Sequence, residues 1–146
     1  MSWLALAIAT AVAFGAYNVF IKLGSGKIDQ VLGAVVLQIV AAVAGGAYLA
    51  YLKLAGRELA ISGAGLGFAA LAGLAVGLAE ILTFVVFARG APAALATPVI
   101  MGGSVLVVAV VGALLLGERL GWAQVAGILL VAGGIALLSR GAHSHP

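Results

Sequence analysis

The sequence predicts an all-α integral membrane protein with five transmembrane helices, and three observations predict it. Mean hydropathy is +1.32 over 146 residues, with 65% hydrophobic and 8% charged residues, against roughly 45–50% and 25% in soluble domains. The apolar residues form five continuous runs, each close to the ~20 residues a helix needs to cross a ~30 Å hydrocarbon core. Ten of the eleven charged side chains fall between or beyond those runs. So few charges cannot cover the surface of a soluble fold, which excludes a soluble globular domain, a disordered chain and a nucleic-acid binder. The runs do not alternate apolar and polar, so helices and not the strands of a barrel satisfy the backbone in lipid.

The expected spans are about 3–21, 31–52, 65–88, 93–116 and 121–139, in one membrane domain covering residues 1–146. The first has no basic residue before it and Lys22 and Lys27 after it, which reads as a span and not as a cleaved signal peptide. Lys22 to Asp29 ends this span, and Lys53 to Glu58 ends the second. Arg89-Gly90-Ala91-Pro92 divides the third from the fourth, and Gly117-Glu118-Arg119-Leu120 the fourth from the fifth. Gly and Pro beside charge mark turns at the membrane surface. Trp3, Trp122, Tyr48 and Tyr51 lie near span ends as interfacial anchors. The 22 glycines, about twice ordinary usage, point to close helix packing.

Five spans put the termini on opposite sides. The side holding the N-terminus carries Lys53, Arg57 and Arg119; the other carries Lys22, Lys27, Arg89 and Arg140. Lys/Arg imbalance in short loops orients a membrane protein, and three against four gives almost no bias. Two readings stand: one orientation imposed by chaperones or a partner, or insertion both ways. Two opposed copies would form an antiparallel homodimer, an inverted-repeat transporter of which this chain is one half.

Glu80 is the one charge inside a span. Such a group costs about 2.5 kcal/mol or more by insertion scales, which makes it a functional candidate. It can hold a proton under one condition and a cation under another; the structural alternative is a protonated acid bonded to a neighbouring helix. Counted from the span midpoints, Glu80, Gln38, Asn18 and Met101 share a layer roughly 5–9 Å off the midplane at 1.5 Å per residue. Asn18 and Gln38 are the only side-chain amides in the first four spans. At helical spacing Gly73, Val76, Gly77, Glu80, Thr83, Phe84 and Phe87 share a side. Gly73 and Gly77 would admit a neighbouring backbone there. On the first span Thr10, Phe14, Tyr17, Asn18 and Ile21 cluster similarly. Phe14, Tyr17 and Phe84 are expected around the carboxylate, where aromatics suit a lipophilic cation, or else are ordinary packing. The predicted substrate- and proton-binding set is therefore Glu80, Asn18, Gln38, Tyr17, Phe14, Thr83, Phe84 and Met101. Lys22 is read as snorkelling from its helix end, with an ion pair to Glu80 as the alternative.

Arg89-Gly90-Ala91-Pro92-Ala93-Ala94, Pro98, Leu114 to Leu120, Gln124, Gly127 and Gly133-Gly134 resemble the C-terminal part of an EamA domain of the drug/metabolite transporter superfamily. Gly15 and Phe20-Ile21-Lys22 fit the same pattern. The resemblance implies a single five-helix repeat, where larger members carry two in opposite orientation. More distantly the chain is similar to the small multidrug resistance family. It shares the Gly117 to Leu120 turn, but its first span holds no acid, so carboxylate coupling falls to Glu80. Glu118 reads as an acid favoured by the dipole at the start of the fifth helix.

The expected function is a secondary active transporter subunit of the cell inner membrane, exporting or exchanging a small hydrophobic or cationic molecule or a metabolite. It would be proton-coupled and act as an antiparallel homodimer. The alternative is a non-transporting helical subunit, or a partner in a heteromeric complex such as a lipid-carrier flippase. There is no Cys, no Ser-His-acid set and no P-loop, so no enzyme, cofactor or metal is expected. His143 and His145 in the tail are weak evidence for metal.

Overall fold

The computed structural model describes residues 2–142. It has five helices: α1 (Trp3–Gly24), α2 (Gln30–Leu54), α3 (Gly63–Ala88), α4 (Ala93–Leu114) and α5 (Trp122–Ala142). All five are long and apolar enough to cross a membrane. At 1.5 Å rise per residue the 22 residues of α1 span roughly 33 Å, a full hydrocarbon core. His143 and His145 lie outside the described residues. The helices divide into two compact units after Gly90, the first holding α1–α3 and the second α4 and α5.

Local chemistry sets the helix ends. Ser2 Oγ accepts the Ala5 N–H at 3.3 Å, Asp29 Oδ1 accepts from Val31 and Leu32, both at 3.0 Å, and Ser62 Oγ accepts from Gly65 at 3.0 Å. Each satisfies amide donors that a helix start leaves unpaired. The fifth helix inverts the arrangement: Gln124 reaches back so that its Oε1 accepts the Gly121 N–H. At the far end of α2, Gly56 adopts φ 77°, a left-handed conformation that glycine takes without a Cβ clash. This lets Arg57 N–H reach the Leu52 carbonyl at 3.1 Å and close the helix. Gly90, at φ 91°, takes the same left-handed conformation after α3, and its own N–H donates to Phe87 O at 3.0 Å.

In the first unit α3 is central, packed by both α2 and α1. Tyr17 meets Glu80 and Lys22 meets Phe87, so α1 and α3 run parallel. Gly33 faces Phe84 and Gln38 faces Gly77, so α2 runs antiparallel to α3. The buried positions gather where α1 and α3 end and α2 begins: Asn18, Ile21, Gly33, Ala34, Glu80, Thr83, Phe84 and Phe87. Gly33 makes a tight contact between two helices. A Cβ there would stand 2.8 Å from the Phe84 ring, so the ring occupies space only glycine leaves. Lys22, Lys27 and Arg89 mark this end and Lys53 and Arg57 the other, as the alternation of spans requires.

In the second unit α4 packs on α5 through Gly102, where a Cβ would fall 2.9 Å from Ile135 and 3.2 Å from Val131. Pro98 inside α4 removes the N–H that would reach the Ala94 carbonyl. Most large apolar side chains of both units are exposed, for example Leu74 at 74% and Leu130 at 77%. That is the surface expected of helices solvated by lipid tails.

Two expectations are corrected here. Glu118 does not sit in the first turn of the fifth helix, which starts four residues later at Trp122. The chain turns back after Leu114, the Glu118 N–H donates to Gly112 O at 3.0 Å, and the carboxylate lies over Gly112 in the last turn of α4. That is the end of a helix the dipole does not favour for an acid; Glu118 is held by the backbone turn. Among the described residues, Gly73 and Gly77 do not meet a neighbouring backbone. A Cβ at Gly73 would meet nothing within 4 Å, and Gly77 is covered by the Gln38 side chain.

Candidate functional site: a polar cluster at the packed end of α1–α3

Glu80 is 7% exposed and faces α1. The Tyr17 hydroxyl donates a hydrogen bond to its Oε2. This places a neutral donor on the only acid within a span. A bond to a charged group contributes about 1.5–3 kcal/mol, which offsets part of the cost of holding a carboxylate in a low-dielectric setting. Tyr17 is itself positioned by an edge-on contact with Phe14, with ring centroids 5.9 Å apart and planes at 90°.

Asn18 follows Tyr17 on α1 and is 2% exposed. Its Nδ2 donates to the Phe14 carbonyl at 2.9 Å, one turn back. Its Oδ1 is buried without a hydrogen-bond partner. An unpaired buried acceptor costs about 1–3 kcal/mol, so the amide is held at a local loss of stability. Gln38 comes from α2 and lays its amide against Gly77, 3.5–3.6 Å from where a Cβ would stand. Gly77 precedes Glu80 by three residues, about one turn of α3. Thr83 is buried, its Oγ1 donating to the Ala79 carbonyl at 2.8 Å.

The structure thus gathers Tyr17, Asn18, Gln38, Glu80 and Thr83 on the facing sides of α1, α2 and α3. The predicted aromatic wall is distributed differently. Phe84 is 5% exposed and packs into the glycine gap at Gly33. Phe14 is 50% exposed and touches the cluster through Tyr17. Met101 lies in the second unit, where its carbonyl accepts from Ser104 Oγ at 2.7 Å.

Lys22 reaches from the end of α1 to the end of α3. Its Nζ donates to the Phe87 carbonyl at 3.5 Å and stands 5.7 Å from the Phe87 ring centroid. A cation there complements the negative end of α3 and the ring face. Phe87 lies seven residues, roughly 10 Å, past Glu80 along the helix. Sequence reasoning misses the Gly33–Phe84 fit and the Lys22 dock. A glycine three residues after the first residue of α2, facing a phenylalanine on another span, is the available signal for the first.

No curated protein and no solved structure matches the chain. The family model described as EamA-like transporter family matches residues 1–140. With five helices able to span a bilayer, the chain is a multi-pass membrane protein and belongs to the EamA-like transporter family.

Proposed function

We propose that the protein is a secondary active transporter subunit of the cell inner membrane that exchanges protons for a small hydrophobic or cationic molecule or metabolite at Glu80. The observation that supports this reading is the sole intramembrane acid, bonded by the Tyr17 hydroxyl, at the end of the first unit that also carries buried Asn18 and Thr83, with Gln38 against Gly77 one turn away. When Glu80 is charged, the Tyr17 hydroxyl and a bound cation share its stabilisation. When Glu80 is protonated, the cation loses its partner and leaves. Occupancy by proton and by substrate is then mutually exclusive, which is what exchange requires.

The working unit is an antiparallel homodimer, with this chain as one repeat of an inverted pair. Support comes from the near-balance of Lys and Arg on the two sides. Among the described residues, the most apolar stretches of α4 and α5 also hold no buried residue. Two Glu80 carboxyls in one assembly titrate as a coupled pair.

The test uses proteoliposomes with a pH dye inside and a panel of amines, organic cations and amino acids outside. Wild-type protein moves protons in response to at least one compound. Glu80→Gln inserts equally and moves none. Undiminished proton movement in Glu80→Gln refutes the reading.

A further inference from the structure

Among the described residues, one buried side-chain polar atom has no hydrogen-bond partner, the Oδ1 of Asn18. Its own amide nitrogen is spent on the Phe14 carbonyl. The adjacent residue, Tyr17, ties α1 to Glu80, so Asn18 lies about 1.5 Å further along the same helix. Asn18 is 2% exposed, on a helix that packs on α3. Asn18 Oδ1 is thus a buried acceptor one residue along α1 from the tyrosine that bonds Glu80, and it lacks the hydrogen that a ligand with N–H bonds would bring. Gln38, from α2, lays its amide against Gly77, one turn of α3 before Glu80.

We propose that Asn18 Oδ1 and Glu80 together form a subsite for an organic ammonium bearing N–H bonds, so that the cargo is a protonated amine and not a quaternary cation. The inference rests on the transporter reading of Glu80 and deepens it to a substrate class. Glu80 answers the positive charge and Asn18 Oδ1 accepts a hydrogen. A quaternary cation satisfies the charge but has no hydrogen to donate, and its methyl groups leave Oδ1 buried and unpaired. Sites built to accept a substrate hydrogen reject the analogue that lacks it far more strongly than apolar pockets reject a missing methylene. Phe14, half exposed beside Tyr17, offers an apolar face for the body of the amine.

The probes are tert-butylammonium and tetramethylammonium, monocations of nearly equal size that differ in having N–H bonds. Binding to the full chain in nanodiscs is measured by titration calorimetry. Wild-type protein prefers tert-butylammonium by about tenfold or more. Asn18→Leu, close in volume and free of the orphan acceptor, binds both probes alike and melts no lower than wild type. Asn18→Asp, which keeps an acceptor, retains the preference. Equal binding in the wild type, a preference that survives in Asn18→Leu, or failure of both probes to bind each overturns the proposal. So does an Asn18→Leu variant that changes proton release but not the probe ratio, since Oδ1 would then serve the proton of Glu80 itself. Loss of the amine preference with Glu80-dependent proton movement intact sinks only this subsite; unchanged proton movement in Glu80→Gln with the preference intact sinks only the coupling.

Discussion

Through residues 63–76 α3 is exposed on every side, whereas between Gly77 and Phe87 it buries Glu80, Thr83, Phe84 and Phe87. Both halves are apolar helix. The first carries only Gly, Ala, Leu, Phe and Val; the second carries the only acid of any span and a threonine. Lipid tails are as apolar as leucine, so an apolar surface has no reason to leave them for another helix. Contact forms where something more specific is offered: a glycine gap that admits a ring, or a hydroxyl that meets a carboxylate. The packed half of α3 has both, in Gly33–Phe84 and Tyr17–Glu80. The polar cluster and the tertiary contact of the first unit are therefore the same region, and the exposed half is free for lipid or a second copy.

The comparison can be broken by attacking the packed end. Gly33→Leu drives a side chain into the Phe84 ring and is expected to cost about 1–3 kcal/mol or more, read as a lowered melting temperature in detergent. Gly102→Val in the second unit meets Ile135 and Val131 and should cost about 1–3 kcal/mol by the same measurement. Tyr17→Phe keeps the ring and removes the donor from Glu80. A loss of about 1–3 kcal/mol is expected from chemical melts, together with an altered pH profile of transport. Gly73→Ala probes the exposed half, where nothing stands near. It should shift stability by less than about 1 kcal/mol, in the favourable direction that Ala has over Gly in a helix. A large loss there would show that the exposed half is packed against something in the membrane.

The five helices are legible in the sequence because length, hydropathy and charged breaks are local properties. Their ends are less so. α4 stops at Leu114, short of residue 116, since Leu115 and Leu116 look like span residues but lead into the glycine turn at Gly117, φ 67°. Glu118 escapes the sequence for the same reason: its distance along the chain from Trp122 says nothing about the backbone folding back over Gly112. Helical spacing puts Tyr17 with Asn18 and Glu80 with Thr83, Phe84 and Phe87, and these are the sides that meet. Spacing names a face but not its neighbour. It puts Phe84 beside the carboxylate when the ring fills the gap at Gly33, and it expects backbone at Gly77 where Gln38 lies.

The proposed exchange requires that water reach the polar cluster around Glu80 from at least one face of the membrane. Because the chain has no cysteine, single cysteines report cleanly. Gln38→Cys, at the cluster, and Val40→Cys, 63% exposed in the wild type toward lipid, differ in depth by only ~3 Å. A charged, membrane-impermeant thiol reagent needs both access and a thiolate. The account predicts that it modifies the cysteine at position 38 and spares the one at position 40 in bilayers. If position 38 is as unreactive as position 40, from both faces of the membrane, the claim is contradicted.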